Sequence, residues 1–201
     1  MSFFEIKNIS CIRGNKLLFK NINFKLNNKD LLVIKGSNGS GKTSLLKVLS
    51  GLIKPLSGNI IIKEKNINKI KDEYFKYIEY IGHENAIKSS LTVKENLDFY
   101  LKIKKNLSKK NLDKAIKIFD LKKILDIRAE HLSSGEKRRV SLSKLILSNN
   151  KIWFLDEPTT GLDKKNFSNF LKILKKHLNS NGLAIIATHD DIKIKNKTIN
   201  L

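Results

Sequence analysis

A single cysteine, Cys11, stands in 201 residues, so the chain can form no internal disulfide and cannot build a thiolate metal cluster. No apolar run approaches the roughly eighteen residues that span a bilayer. The longest runs, Leu31-Leu32-Val33-Ile34 and Ile152-Trp153-Phe154-Leu155, have the length of buried strands. The opening Met1-Ser2-Phe3-Phe4-Glu5 lacks the basic-then-apolar layout of a secretory leader, and a reducing, cytosolic-type compartment is expected. Acidic residues are few: 19 Asp and Glu stand against 40 Lys and Arg, a formal net charge of +21. Taken alone, that excess suggests nucleic acid or an anionic surface. The lysines are spread along the whole chain among Asn and Ile, however, and arginine is scarce. No nucleic-acid-reading motif with interleaved aromatics is present, so no nucleic-acid partner is expected. There are no internal repeats and no long low-complexity linker. A hydrophobic content of 40% over this length suits one buried domain, or one domain with a small inserted subdomain.

Residues 3–34 alternate and then run apolar, with turns at Gly14-Asn15 and around Asn27–Asp30, which predicts two or three strands ending in Leu31–Lys35. A Gly-rich loop follows, then helical periodicity in Leu45, Leu46, Val48, Leu49 and Leu52, closed near Gly51 and Pro55. Further strands are predicted at Asn59–Lys63, Tyr77–Gly82, Lys151–Leu155 and Leu183–Thr188, with a helix over Lys164–Asn179. Residues 91–147 carry apolar residues at helical spacing, lysine-rich outer faces and no clear strand. The expected organisation is one domain, with an α/β core of residues 1–84 and 148–201 and a helical insertion of residues 85–147. Strands alternating with helices imply a mainly parallel sheet in that core.

Gly36-Ser37-Asn38-Gly39-Ser40-Gly41-Lys42-Thr43 fits the phosphate-binding loop pattern at every fixed position and lies between a buried strand and a helix. Its glycines let successive N–H groups curve around a phosphate, and the helix N-terminus adds partial positive charge. These residues and the following Ser44 are candidates to hold ATP, with Lys42 reaching the β- and γ-phosphates and Thr43 a ligand of Mg²⁺. Asp156 and Glu157 end the apolar strand that begins at Ile152. Beside a phosphate loop, Asp156 would hold Mg²⁺ through its water shell and Glu157 would act as general base on the attacking water. Leu132-Ser133-Ser134-Gly135-Glu136 reads first as a helix start, with serine as cap and an acid in the first turn. Such a turn is also an anion site, and its distance along the chain from the phosphate loop suggests a role across a dimer.

The order of phosphate loop, Leu-Ser-Ser-Gly-Glu, Leu-Asp-Glu-Pro and Ala-Thr-His resembles the nucleotide-binding subunits of ABC transporters over essentially the whole chain. The resemblance implies a P-loop NTPase of the ABC type, an α/β domain with N-terminal antiparallel strands and an inserted helical subdomain. It implies a head-to-tail homodimer with each ATP between one P-loop and the partner's signature helix, integral membrane partner subunits, and contact with the membrane surface through them. On that resemblance Ser133, Ser134 and Gly135 touch the γ-phosphate bound by the other copy. Gly161-Leu162-Asp163 resembles the loop that communicates between the two sites, and His189 the histidine that meets the γ-phosphate.

Three departures stand out. His83, in Tyr80-Ile81-Gly82-His83-Glu84, aligns with a glutamine that usually reaches Mg²⁺ and the attacking water; a neutral imidazole could substitute in part, and an ordinary loop histidine is the alternative. Arg13 takes the place of an aromatic that usually stacks on adenine, and its guanidinium plane could stack instead. Ser134 and Glu136 replace the first glycine and the glutamine of the signature. With the stretch Leu91-Thr92-Val93-Lys94-Glu95-Asn96-Leu97, these features resemble one subgroup, the ATP-binding subunits of the haem exporters of cytochrome c maturation. That resemblance implies a peripheral protein on the cytoplasmic face of an inner membrane, or the matrix face in a mitochondrion. Another exported cargo (lipoprotein, peptide or ion) and a soluble ABC ATPase acting on nucleic acid are the alternative readings. The last usually carries tandem cassettes or a long coiled coil, which this sequence lacks.

Overall fold

The alternating N-terminal segment folds as a hairpin in which β1 (Phe4–Arg13) and β2 (Lys16–Leu26) run antiparallel, from Phe4 opposite Leu26 to Arg13 opposite Lys16. The structure, a computed structural model, describes residues 3–104 and 109–201. After the hairpin come β3 (Leu31–Lys35), α1 (Lys42–Leu49), β4 (Ser57–Ile62), β5 (Lys65–Asn66), α2 (Lys71–Tyr77) and β6 (Ile78–Ile81). The remainder is α3 (Val93–Lys104), α4 (Lys109–Ile118), α5 (Ser134–Leu147), β7 (Ile152–Asp156), α6 (Lys164–Asn179), β8 (Leu183–Ala187) and β9 (Lys197–Asn200).

These strands make two sheets, a four-stranded one in the order β2-β1-β4-β5 and a five-stranded one in the order β6-β7-β8-β3-β9. The first is antiparallel throughout. In the second, β7 and β8, β8 and β3, and β3 and β9 pair in parallel. Every residue of β7 and β8 is buried, as both-face coverage of a parallel sheet requires. Consequently both strands are apolar without alternation, until β7 ends in the carboxylate of Asp156.

The chain clusters, over its described residues, into two compact units. One comprises Met1–Tyr80, Asn150–Glu157 and Lys176–Leu201; the other comprises Ile81–Asn149 and Pro158–Lys175. Residues 158–175, which the sequence reading sets in the core, cluster with the helical segment. In the first unit Phe4, Ile6, Leu45, Leu49, Tyr74 and Phe154 are part of one buried apolar cluster. Phe4 and Phe154 meet edge to face with centroids 6.3 Å apart. The hydroxyl of Tyr74 donates to Leu49 O at 2.7 Å, so the buried tyrosine is satisfied and α2 is tied to the end of α1.

The second unit is organised by helix starts. Thr92 and Glu95 cap α3 reciprocally: Glu95 N–H donates to Thr92 Oγ1 at 3.1 Å and Thr92 N–H to Glu95 Oε2 at 2.8 Å. Arg138 is buried in α5 and donates to Gly82 O at 2.8 Å and to Pro158 O at 3.2 Å, which binds three separated stretches of this unit together. The first part of α6 joins the same unit through Asn169, which donates to Ile118 O at 2.7 Å, and through the Lys165–Asp120 ion pair.

Three elements go beyond the sequence expectation: β5, α2 and β9. Each is short, and β9 is largely exposed, so neither periodicity nor an apolar run announces them. No helix among the described residues is long and apolar enough to cross a membrane.

Candidate functional site

The C-terminal end of β3 turns into the loop Gly36–Gly41, which runs into α1. Gly36 is required by close approach: a Cβ there would lie 2.8 Å from the main-chain oxygen of Leu201 and 2.5 Å from Ser40 Oγ. Gly41 is the N-cap of α1, with φ of 106°, and no side chain caps that helix. An uncapped N-terminus leaves N–H groups for an anion. Ser40 Oγ is buried and has no hydrogen-bond partner among the described residues, a second polar group in the loop ready for a ligand.

Lys42 is only 7% exposed. Its Nζ folds back over the loop, donating to Gly36 O at 2.8 Å and Ser37 O at 3.1 Å and lying 3.0 Å from His189 Nε2. Thr43 is exposed, and its Oγ1 donates to Asp156 Oδ1 at 3.1 Å. A hydroxyl and a carboxylate are the modest donor set with which Mg²⁺ is held beside substrate phosphate and water, so the two residues fit such an ion.

Glu157 follows β7 with a left-handed backbone, φ 46°. That conformation is uncommon outside glycine and costs roughly 1–2 kcal/mol. It is held by Glu157 N–H donating to Ala187 O at 2.8 Å. Its carboxylate accepts from His189 N–H at 3.3 Å, and Oε1 lies 3.5 Å from His189 Nε2. His189 Nε2 also lies 2.9 Å from Asn38 Oδ1. The structure therefore gathers Lys42, Thr43, Asp156, Glu157 and His189 around the loop Gly36–Gly41, all within the first unit. Tyr80 belongs to the same neighbourhood and has no motif to announce it. Burial first, and then the negative charge of Asp156, push its phenol far above the usual range, while its buried hydroxyl lacks a hydrogen-bond partner among the described residues. Arg13 lies at the exposed end of β1, opposite Lys16.

The signature residues form a separate constellation in the second unit. Ser133 is the N-cap of α5, in a capping box with Glu136. Glu136 N–H donates to Ser133 Oγ at 3.2 Å and Ser133 N–H to Glu136 Oε2 at 2.9 Å. The Ser133 N–H, and then its hydroxyl, hold the Glu136 carboxyl below its ordinary range. Ser134, exposed, opens the helix. Gly135 must be glycine for packing: a Cβ there would lie 2.6 Å from Gly161 O. Asp163 caps α6 by accepting from Asn166 N–H at 2.7 Å, a bond that lowers its carboxyl pKa. A cavity of about 290 Å³ is lined here by Ser133, Gly135, Glu136, Arg139, Gly161 and Asp163, among others. Arg139 and the buried Asn166 also line this cavity, and neither is singled out by the sequence, because neither holds a fixed position in a recognised motif. His83 follows β6 in this unit and is exposed.

The ABC transporter family matches residues 19–160. The Cytochrome c biogenesis ATP-binding export protein CcmA of Wolbachia pipientis wMel is 43% identical over 185 residues, covering 92% of this chain and 88% of that protein. The protein of the same name from Colwellia psychrerythraea is 38% identical over 185 residues, covering 92% and 84%. Among solved structures, an ABC transporter ATP-binding protein from Pyrococcus furiosus superposes with a TM-score of 0.84 at 26% identity, covering 98% of this chain and 96% of that one. A dimeric ATP-binding cassette in a post-hydrolysis state, bound to ADP and Pi, superposes with a TM-score of 0.81 at 25% identity, covering 93% and 88%.

Proposed function

The chain belongs to the ABC transporter family, and within it to the cytochrome c biogenesis ATP-binding export proteins; from that premise we propose that it hydrolyses Mg-ATP between two copies of itself to drive haem export for cytochrome c maturation. The observation that carries the cargo assignment is the 43% identity to a cytochrome c biogenesis export protein over 92% of the chain. The observation that supports the chemistry is the convergence of Lys42, Thr43, Asp156, Glu157 and His189 on one uncapped helix start.

In this mechanism the N–H groups of the loop 36–41 and of the first turn of α1 bind the phosphates. Lys42 exchanges its bonds to Gly36 O and Ser37 O for the β- and γ-phosphate oxygens. Thr43 and Asp156 would hold Mg²⁺, which when bound would supply charge neutralisation to the phosphates. Glu157 accepts the hydrogen bond of the attacking water and takes its proton, with its carboxylate braced by the His189 main chain. Ser133, Ser134 and Gly135 of the second copy close over the γ-phosphate, with Asp163 beside them. Arg13 lies against the base, and His83 takes the position of the usual glutamine. Hydrolysis removes the contact that joins the copies, and the pair opens. Integral membrane subunits receive that motion, so the protein sits on the membrane through them, on the cytoplasmic face of an inner membrane or its mitochondrial equivalent.

The test is a pull-down from detergent-solubilised native membranes, with partners identified by mass spectrometry. Co-recovery of small multi-spanning haem-export subunits is the expected result. Recovery with an unrelated permease would overturn the cargo and leave the ATPase standing.

A further inference from the structure

Position 38 is one the phosphate-loop pattern leaves free to vary, because the loop binds phosphate through its backbone. The side chain of Asn38 nonetheless has a specific contact: its Oδ1 lies 2.9 Å from His189 Nε2. The same ring nitrogen lies 3.0 Å from Lys42 Nζ, whose ammonium group also donates to Gly36 O and Ser37 O. An ammonium has donors only, whereas an amide oxygen only accepts. His189 Nε2 therefore stands between Lys42, which requires its lone pair, and Asn38 Oδ1, which requires its proton, with Glu157 Oε1 a more distant acceptor at 3.5 Å. A neutral imidazole nitrogen carries one or the other, and the partner it meets decides which. One tautomer cannot satisfy both neighbours.

We propose that Asn38 is the positioning residue that keeps the Nε2–H tautomer of His189 populated against the pull of Lys42, so that His189 faces the phosphate cradle as a hydrogen-bond donor. Phosphate oxygens only accept, so a ring held bare at Nε2 would set its lone pair against them. When Lys42 moves to the phosphates, Asn38 Oδ1 remains as the nearest acceptor for the proton on Nε2, ahead of Glu157 Oε1 at 3.5 Å. The proposal rests on the ATP-site reading for its consequence, but the tautomer balance itself belongs to the nucleotide-free protein.

The test is long-range ¹H–¹⁵N NMR of the histidine rings in the nucleotide-free full chain. There are 4 histidines, and the signal of His189 is identified by its loss in His189→Gln. The expected result is that Asn38→Ala moves His189 toward the Nδ1–H tautomer. Asn38→Asp, which keeps an acceptor oxygen, retains Nε2–H, and Lys42→Met moves the ring fully to Nε2–H. In steady-state turnover, Asn38→Ala lowers kcat about ten-fold and changes KM for ATP less than about two-fold. Unchanged His189 nitrogen shifts in Asn38→Ala overturn the proposal, whatever that variant does to turnover. A tautomer shift in a chain that turns over no ATP upholds the Asn38–His189 relation and overturns the ATPase reading instead.

Discussion

Thr43 Oγ1 donates to Asp156 Oδ1 across 3.1 Å, joining the first turn of α1 to the last residue of β7. The two residues are 113 positions apart, and the parallel sheet brings them together by ending β3 and β7 at the same edge. If this pair holds Mg²⁺, Asp156→Asn should lower turnover by about a hundred-fold or more and raise the Mg²⁺ concentration needed for half-maximal rate. Chelation of the metal should abolish turnover in the wild type. ATPase assays across a Mg²⁺ titration read both, and undiminished turnover under chelation would contradict the metal role.

Glu157 combines a proposed catalytic side chain with a left-handed backbone. Glycine adopts that backbone without the Cβ penalty. Glu157→Gly should therefore melt at a temperature no lower than the wild type while losing at least about a hundred-fold in turnover, the usual worth of a general base. A large fall in melting temperature would show that the side chain serves the fold instead.

The α5 start was legible in the sequence as a serine cap with an acid in the first turn, and the structure makes it a reciprocal box between Ser133 and Glu136. Removing it in Ser133→Ala should cost about 1 kcal/mol of stability. The box also carries a pH signature. The folded-state pKa of Glu136 lies below its ordinary value, so its contribution is fully present above about pH 4.5 and is lost as pH falls through the folded-state pKa. Glu136→Gln should flatten the acid limb of a melting-temperature profile below that point.

A second acid-sensitive group belongs to no motif itself. His177 stacks on Trp153 with ring centroids 3.7 Å apart, and burial lowers its pKa from 6.5 to about 4. The unfolded chain therefore binds this proton more tightly, and stability falls as pH drops from about 6.5 toward 4. His177→Phe keeps a ring against Trp153 and cannot titrate, so its melting temperature should change less over that window. Identical slopes for the two proteins would contradict the assignment.

How much was legible follows from what each feature needs. Lys42, Thr43, Asp156 and Glu157 could be named as candidates because phosphate and metal chemistry favour fixed residue types at fixed places in a strand–loop–helix unit, and His189 through the family resemblance; the structure sets all five around one loop. The main strands were readable from apolar runs, and α6 from its period. The short α2 and β9 were not, because they are set by tertiary partners: Tyr74 reaching Leu49 O, and β9 pairing with β3. Neither were Tyr80 beside Asp156 or the Asn38–His189 contact, since a side chain's neighbour across 151 positions leaves no local pattern.

In the proposed cycle ATP closes two copies of this chain, and its hydrolysis to ADP and phosphate, with Glu157 as general base, reopens them. Sedimentation of Glu157→Gln with and without Mg-ATP tests it most directly. The account predicts a dimer that forms only with Mg-ATP and retains unhydrolysed nucleotide. A monomer at saturating Mg-ATP, together with wild-type turnover, would contradict it.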